Sequence, residues 1–245
     1  ARLDALLVEG RPGGLQTSVF WLPYFPEDMR FHFNAHNLLV YGKTGGTHGQ
    51  GVAYCISDPV FETPVTCAAS ELQKARFAKG VLAPKGLLYY PASLPATVDL
   101  GPLCLKAIRK NAKAMLAPFP LVGCRGIAYL GKRMARLPGG KDEAESLRFI
   151  GHVVRMQEEI GTGGAGFRFI YASFLQEAAE LTAREELSAA SREMTAIGDR
   201  WREFALAAAL MVRGRKPYAP TVLAESLKSI AEAERALFQG LAKLT

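Results

Sequence analysis

His36 and Asp58 are the pair of side chains whose types and spacing could do chemistry. His36 opens a candidate strand over residues 36–41 (HNLLVY), and Asp58 follows a second over residues 52–56 (VAYCI). The loop between them, GKTGGTHGQG, is dense in glycine and reads as a long hairpin connection. A symmetric closure with Gly42 opposite Val52 makes paired indices sum to 94, as 36 and 58 do, so His36 falls across from Asp58. Opposed residues on one face of an antiparallel pair have Cβ atoms about 4.5–5.5 Å apart. At that distance a carboxylate can hydrogen-bond an imidazole, fix its tautomer and stabilise its cation, as in a nucleophile–His–acid triad. A chance juxtaposition of one His and one Asp is the competing explanation.

The same register places Val52, Tyr54, Ile56 and Asp58 on one face and Ala53, Cys55 and Ser57 on the other. Cys55 therefore points away from His36 and reads as a core thiol. His32 and His48 are near in sequence but fit no standard zinc spacing, so no metal is expected, and His152 falls inside a helix. A second feature is the glycine-rich string IGTGGAGFR, residues 160–168. Its plain reading is a helix C-cap followed by a restart. Its functional reading is an anion site at the start of the next helix, with Arg168 in the first turn. It is neither a P-loop nor a dinucleotide fingerprint, and no cofactor is implied.

The elements that must position these residues change character near residue 95. Before it, residues 17–22 (TSVFWL) and 87–90 (LLYY) read as further strands. Residues 70–78 (SELQKARFA) read as a short helix with Ser70 or Ala69 near its cap. Residues 91–102 carry three prolines and read as a linker. After it, apolar residues recur at helical spacing over 103–116, 126–137, 142–160, 167–182, 184–212 and 221–244, an antiparallel helical bundle by short-loop logic. In the last helix Leu223, Leu227, Ile230, Leu237, Leu241 and Leu244 make one stripe. Glu234 interrupts it and is read as a carboxylate reaching solvent at the stripe's edge. The expected class is thus α+β: an antiparallel sheet part over 1–95, then a helical domain over 96–245.

Composition agrees with a folded protein. Hydrophobic residues make up 49% and charged residues 22%, which excludes wholesale disorder and simple coiled coils. No apolar run approaches a membrane span, and no signal peptide is visible. Four cysteines without a C-x-x-C pair support neither a disulfide scaffold nor a zinc motif, and a reduced, cytoplasmic protein is expected. The net charge of +7 resides almost wholly in the helical part: residues 1–95 hold 8 basic and 7 acidic side chains, the rest 22 and 16. That excess is either ordinary solvated helix faces or a docking surface for an acidic partner. No nucleic-acid motif is present, and no contact with membrane or nucleic acid is expected.

The strings LPYFPEDMRFHFNAHNLLVYG, ISDP and SELQKAR resemble the N-terminal domain of the butirosin-biosynthesis acyltransferase (BtrH-type) family, which is related to papain-like peptidases. CRGIAYLGKRM, the string IGTGGAGFRFIYASFLQEAAEL and MTAIGDRW resemble the helical domain that follows it. The resemblance implies a papain-like fold for the first part. It also implies thiol chemistry, in which a cysteine takes an acyl group from a carrier-protein thioester and passes it to an amine. The family His falls on His36 and its acid on Asp58; apart from the resemblance, the loop over residues 161–166 with Arg168 is expected to shape the acyl-donor or substrate entrance, with Tyr24, Gly163, Gly164 and Arg168 as candidate substrate-binding residues. The family's nucleophilic cysteine lies well upstream of its histidine, whereas none of the 35 residues before His36 is Cys.

Three explanations follow from that departure. The chain, which begins at Ala1 without Met, is the later part of a longer or cleaved protein, with the cysteine in that protein or on a second chain. Or it is a non-catalytic family member. Or a replacement nucleophile exists in Ser18, Cys67 or Cys124, the last ahead of a helix, where a thiol pKa is lowered. The leading expectation is an acyltransferase of specialised metabolism acting on an acyl-carrier or acyl-thioester donor and an amine acceptor. A thiol peptidase or amidohydrolase on the same scaffold, and a non-catalytic carrier- or partner-binding subunit, remain as alternatives, and homo-oligomerisation stays open.

Overall fold

The computed structural model describes residues 2–45, 51–93, 95–159 and 164–244. Two compact units divide the chain, Ala1–Ala96 and Thr97–Thr245. The first is an antiparallel sheet with two helices and the second is entirely helical, so the protein is α+β with its helical part after the sheet.

The first unit opens with helix α1 (Arg2–Val8), whose Leu3 and Leu6 are buried. Gly10 ends it, because the reversal needs a left-handed residue (φ 69°). Strand β1 is Gly13–Thr17 rather than residues 17–22, which instead make a 3-10 turn at Val19–Trp21. Here packing overrides β-propensity. A Cβ on Gly14 would lie 2.1 Å from the Tyr89 ring, so only glycine lets β1 and the last strand lie side by side. The remaining elements are β2 (His36–Thr44), β3 (Ala53–Ser57), β4 (Val65–Ala68), α2 (Ala69–Arg76) and β5 (Leu88–Tyr89). The sheet order is β4-β3-β2-β1-β5, antiparallel throughout. The core of this unit packs Leu15, Leu38, Val40 and Ile56 from the sheet against Leu22, Phe25 and Leu72.

The β2–β3 hairpin departs from the expected register. Val40 pairs with Ile56 and Gly42 with Cys55, leaving Tyr41 as a bulge. Gly42 is therefore not opposite Val52, and indices near His36 sum to 96 rather than 94. Leu38, not His36, falls opposite Asp58 on that register. A slip of two residues keeps every side chain on its face, because strand alternation has a period of two.

The second unit contains α3 (Leu100–Met115), α4 (Gly123–Met134), α5 (Glu143–Glu158), α6 (Arg168–Thr182), α7 (Glu185–Val212) and α8 (Pro220–Leu241). Asp99 caps α3 by accepting from the Gly101 amide at 3.2 Å, and Pro220 starts α8 where its missing N–H costs nothing. The bundle core runs through Ile108, Met134, Ile150, Leu175, Met194, Phe204 and Leu227. Glu234 lies inside that core with no exposed surface, which corrects its reading as a solvent-reaching edge residue. Among the described residues no helix is long and apolar enough to cross a membrane.

Candidate active site

His36 is the first residue of β2, paired across β1 with Thr17. Alternation puts its ring on the buried face with Leu38 and Val40. Asp58 is the residue after β3, where the chain leaves the sheet in a turn closed by the Phe61 amide donating to the Asp58 carbonyl at 3.1 Å. The two side chains meet although they are not directly opposed: His36 Nε2 lies 2.7 Å from Asp58 Oδ2. A long side chain reaches a diagonal partner across a strand pair.

Asp58 is held from three sides. Oδ2 also accepts from the Tyr24 hydroxyl at 2.8 Å, and Oδ1 accepts from the Val60 amide at 3.0 Å. Its side chain has no exposed surface, while that of His36 keeps 10%. Burial by itself would raise the Asp58 carboxyl. The His36 bond, the Val60 amide, the His36 charge and the Tyr24 hydroxyl outweigh it and hold the group below the usual carboxylate range. Tyr24 is pushed far up, first by burial and then by the Asp58 charge, so its hydroxyl stays a donor. The Phe25 and His36 rings are perpendicular with centroids 5.5 Å apart, and the Phe61 ring stands 4.9 Å from that of Phe25, so aromatic rings wall the pair. With Nε2 on the carboxylate, Nδ1 is the nitrogen left for a proton, and it has no hydrogen-bond partner among the described residues.

Tyr24, expected on the substrate side, is instead committed to Asp58. Residue types alone could not tell this, because residues 24 and 58 meet only through the turn that follows β1. The thiols are not at His36 either. Cys55 opposes Gly42, six residues along β2 from His36, roughly 20 Å at strand rise. Cys67 opposes Tyr54, four residues along β3 from Asp58 and one strand further over; its charge is felt at Tyr24, but it makes no hydrogen bond to His36. Burial pushes the Cys67 thiol up to about 11. Ser18 follows Thr17, and alternation turns its side chain from the His36 side; its hydroxyl is buried with no hydrogen-bond partner. Cys124, in the first turn of α4, is a candidate replacement nucleophile whose plainer role is packing, and it is buried in the helical core. Burial, then the Glu234 charge, pushes its thiol up to about 11.

In the described part of the glycine-rich segment, residues 164–168, two donors are bonded from within. Gly163 lies outside the described residues. Gly164 has φ 83°, and the Ala165 amide beyond it donates to Glu158 Oε1 at 3.2 Å. Arg168 donates through Nε and Nη2 to both oxygens of Glu234, at 2.8 and 2.9 Å, and through Nη1 to the Gly166 carbonyl at 2.7 Å. The Trp201 indole adds a bond to Glu234 at 2.8 Å. Two of the donors available to an external anion, the Ala165 amide and the Arg168 guanidinium, are therefore taken by two carboxylates of the same unit. The signal that could have revealed this was Glu234 itself, a carboxylate in the middle of an apolar stripe.

Among the described residues no group of three His, Cys, Asp or Glu side chains is placed to hold a metal, and His48 lies outside them. Fold and site together define an α+β protein with a buried His–carboxylate pair on its sheet and a separate helical unit. Residues 1–59 match the family described as butirosin biosynthesis protein H, N-terminal, and residues 70–241 match a domain of unknown function, DUF4872. The chain belongs to the DUF4872 family and carries a BtrH-type N-terminal part. Among curated proteins, none matches it.

Proposed function

We propose that the N-terminal unit carries the base half of a thiol-dependent acyl-transfer site in specialised biosynthesis. The observation that carries the reading is the 2.7 Å bond from His36 Nε2 to a fully buried carboxylate held by two further donors. A histidine fixed on that nitrogen keeps its Nδ1 lone pair for proton transfer, and the carboxylate stabilises the cation that forms. The match to butirosin biosynthesis protein H supports a biosynthetic setting.

In this reading a cysteine thiolate attacks the carbonyl carbon of an acyl thioester. The donor's C–S bond breaks, and its thiol leaves with a proton from the His36 imidazolium. An amine then attacks the acyl-cysteine and gives its proton to His36, and the amide departs as the second C–S bond breaks. Because neither Cys55 nor Cys67 is paired with His36, and burial raises the Cys67 thiol, the nucleophile in this reading is a cysteine contributed by another stretch of polypeptide, on this protein or a second chain. The helical unit, with 22 basic against 16 acidic side chains, suits an acidic acyl-carrier donor. The same lack of a thiol paired with His36 favours one other reading, a non-catalytic subunit that binds the carrier or a partner enzyme.

The test is acyl transfer from a carrier-bound thioester to an amine by the protein from its native source, compared with the His36→Ala variant. Loss of the amide product with folding retained supports the base role, and unchanged transfer refutes it. Carrier binding without any transfer by the unaltered protein selects the binding subunit.

A further inference from the structure

The helical unit contains a cavity of about 320 Å³ between α3, α6, α7 and α8 that the reading above does not use. Its walls are mostly apolar: Met115 from α3, Met194 from α7 and Phe238 from α8. Tyr171 of α6 lies beside Phe238 with ring centroids 5.9 Å apart, so two rings flank one side. The space is about twice that of an engineered apolar cavity that takes up benzene, and it sits at the small end of ligand pockets.

The polar groups in this lining are few and specific. The Tyr171 hydroxyl is buried with no hydrogen-bond partner at bonding distance among the described residues, and the Asn111 amide is the polar group facing it. A buried hydroxyl whose polar neighbour stands beyond good hydrogen-bond distance is under-satisfied, and a ligand that bonds it recovers part of that cost. Arg168 also lines the cavity, but its charge is balanced by Glu234 through two hydrogen bonds. A ligand with a full negative charge thus finds no uncompensated cation there. At the rim the backbone is strained: Ala165, Gly166 and Phe167 have φ of 49°, 54° and 70° in succession. Left-handed non-glycine residues persist only where surroundings enforce them. Here the enforcement is the buried Ala165, whose amide is bound by Glu158, and the Arg168 bond to the Gly166 carbonyl. The result holds Phe167, 55% exposed, on the cavity's edge.

We propose that this cavity binds a small neutral aromatic molecule with one hydrogen-bonding head group, a phenol or aryl carboxamide. Its ring lies against Tyr171 and Phe238, and its head meets the Tyr171 hydroxyl and the Asn111 amide. The proposal does not depend on the chemistry assigned to His36 and Asp58.

The test uses the full chain with p-cresol, toluene and p-toluate as probes, followed by ligand-observed saturation-transfer NMR and by titration. Saturable p-cresol binding is expected, with p-toluate at least about tenfold weaker. Ala114 is exposed on α3 at the cavity, and Ala114→Trp fills it from outside. That variant should lose p-cresol binding. Tyr171→Phe should weaken p-cresol about three- to tenfold, the size of one hydrogen bond, and leave toluene unchanged. No saturable binding, equal binding to Ala114→Trp, or equal loss of cresol and toluene in Tyr171→Phe each overturns the proposal. If Ala114→Trp fails to fold, the Tyr171→Phe comparison decides alone.

Discussion

Replacing Glu234 by Gln should destabilise the helical unit far more than an ordinary isosteric change. The carboxylate has no exposed surface and accepts three bonds: Arg168 Nε at 2.8 Å, Arg168 Nη2 at 2.9 Å and Trp201 Nε1 at 2.8 Å. Glutamine keeps the shape but turns one acceptor into an NH2 donor, which must face the N–H of either Arg168 or Trp201. It also leaves the guanidinium, whose side chain is only 18% exposed, without its counter-charge. Removing one partner of a buried pair costs about 3–5 kcal/mol. The retained bond from Arg168 to the Gly166 carbonyl puts this case at the lower end, about 3 kcal/mol. For a chain of this length that corresponds to a fall in melting temperature of roughly 6–12 °C.

The assay is thermal unfolding followed by far-UV circular dichroism, run on Glu234→Gln and on the cycle of Arg168→Met, Glu234→Leu and the double variant Arg168→Met/Glu234→Leu. The double variant removes both charges together, so that only two neutral groups, the Trp201 N–H and the Gly166 carbonyl, lose their partners, a cost of about 1–3 kcal/mol for each that stays buried. It should therefore be more stable than the sum of the single changes implies, by several kcal/mol of coupling. A shift below about 2 °C for Glu234→Gln, or strict additivity in the cycle, would refute the account of this cluster.

Four further outcomes follow. Tyr24→Phe should lower the stability of the N-terminal unit by about 1.5–3 kcal/mol in urea unfolding, because it removes a hydrogen bond to an ionised, buried carboxylate. Asp58 and Asp4 both ionise below the usual range, Asp4 at about 2 through its Lys43 bond, so each stabilises the fold above the unfolded value near 3.9. That stability should fade as pH drops from about 4 through the lower folded values, and Asp58→Asn and Asp4→Asn should each flatten the acid limb of a stability–pH curve. Cys67 and Cys124, buried and raised to about 11, should resist iodoacetamide at neutral pH until the protein is unfolded, as read by peptide mass mapping. Gly14→Ala should destabilise the sheet by about 1–3 kcal/mol in urea unfolding, since its Cβ would meet the Tyr89 ring at 2.1 Å.

The sequence by itself determined the class, the helical bundle and the face on which the His–Asp pair lies. Six helices follow from apolar spacing because a long amphipathic period survives local irregularity, and their observed bounds fall within a few residues of those expected. The pairing argument got the register wrong by two, yet an even slip preserves which side chains share a face, so His36 and Asp58 still met. Short elements were less legible. Helix α1 and strand β4 have seven and four residues and escaped notice, and β1 was displaced because two glycines, poor strand formers, were needed for close packing.

Only the tertiary structure decided partners. Glu234 and Arg168 are 66 residues apart, and nothing in either helix's pattern says which buried charge faces which. The same holds for Tyr24 on Asp58, 34 residues away. Periodicity records how far a position is from water, but the neutralisation of a buried charge or the holding of a carboxylate depends on which distant side chain the chain's return path brings within about 3 Å.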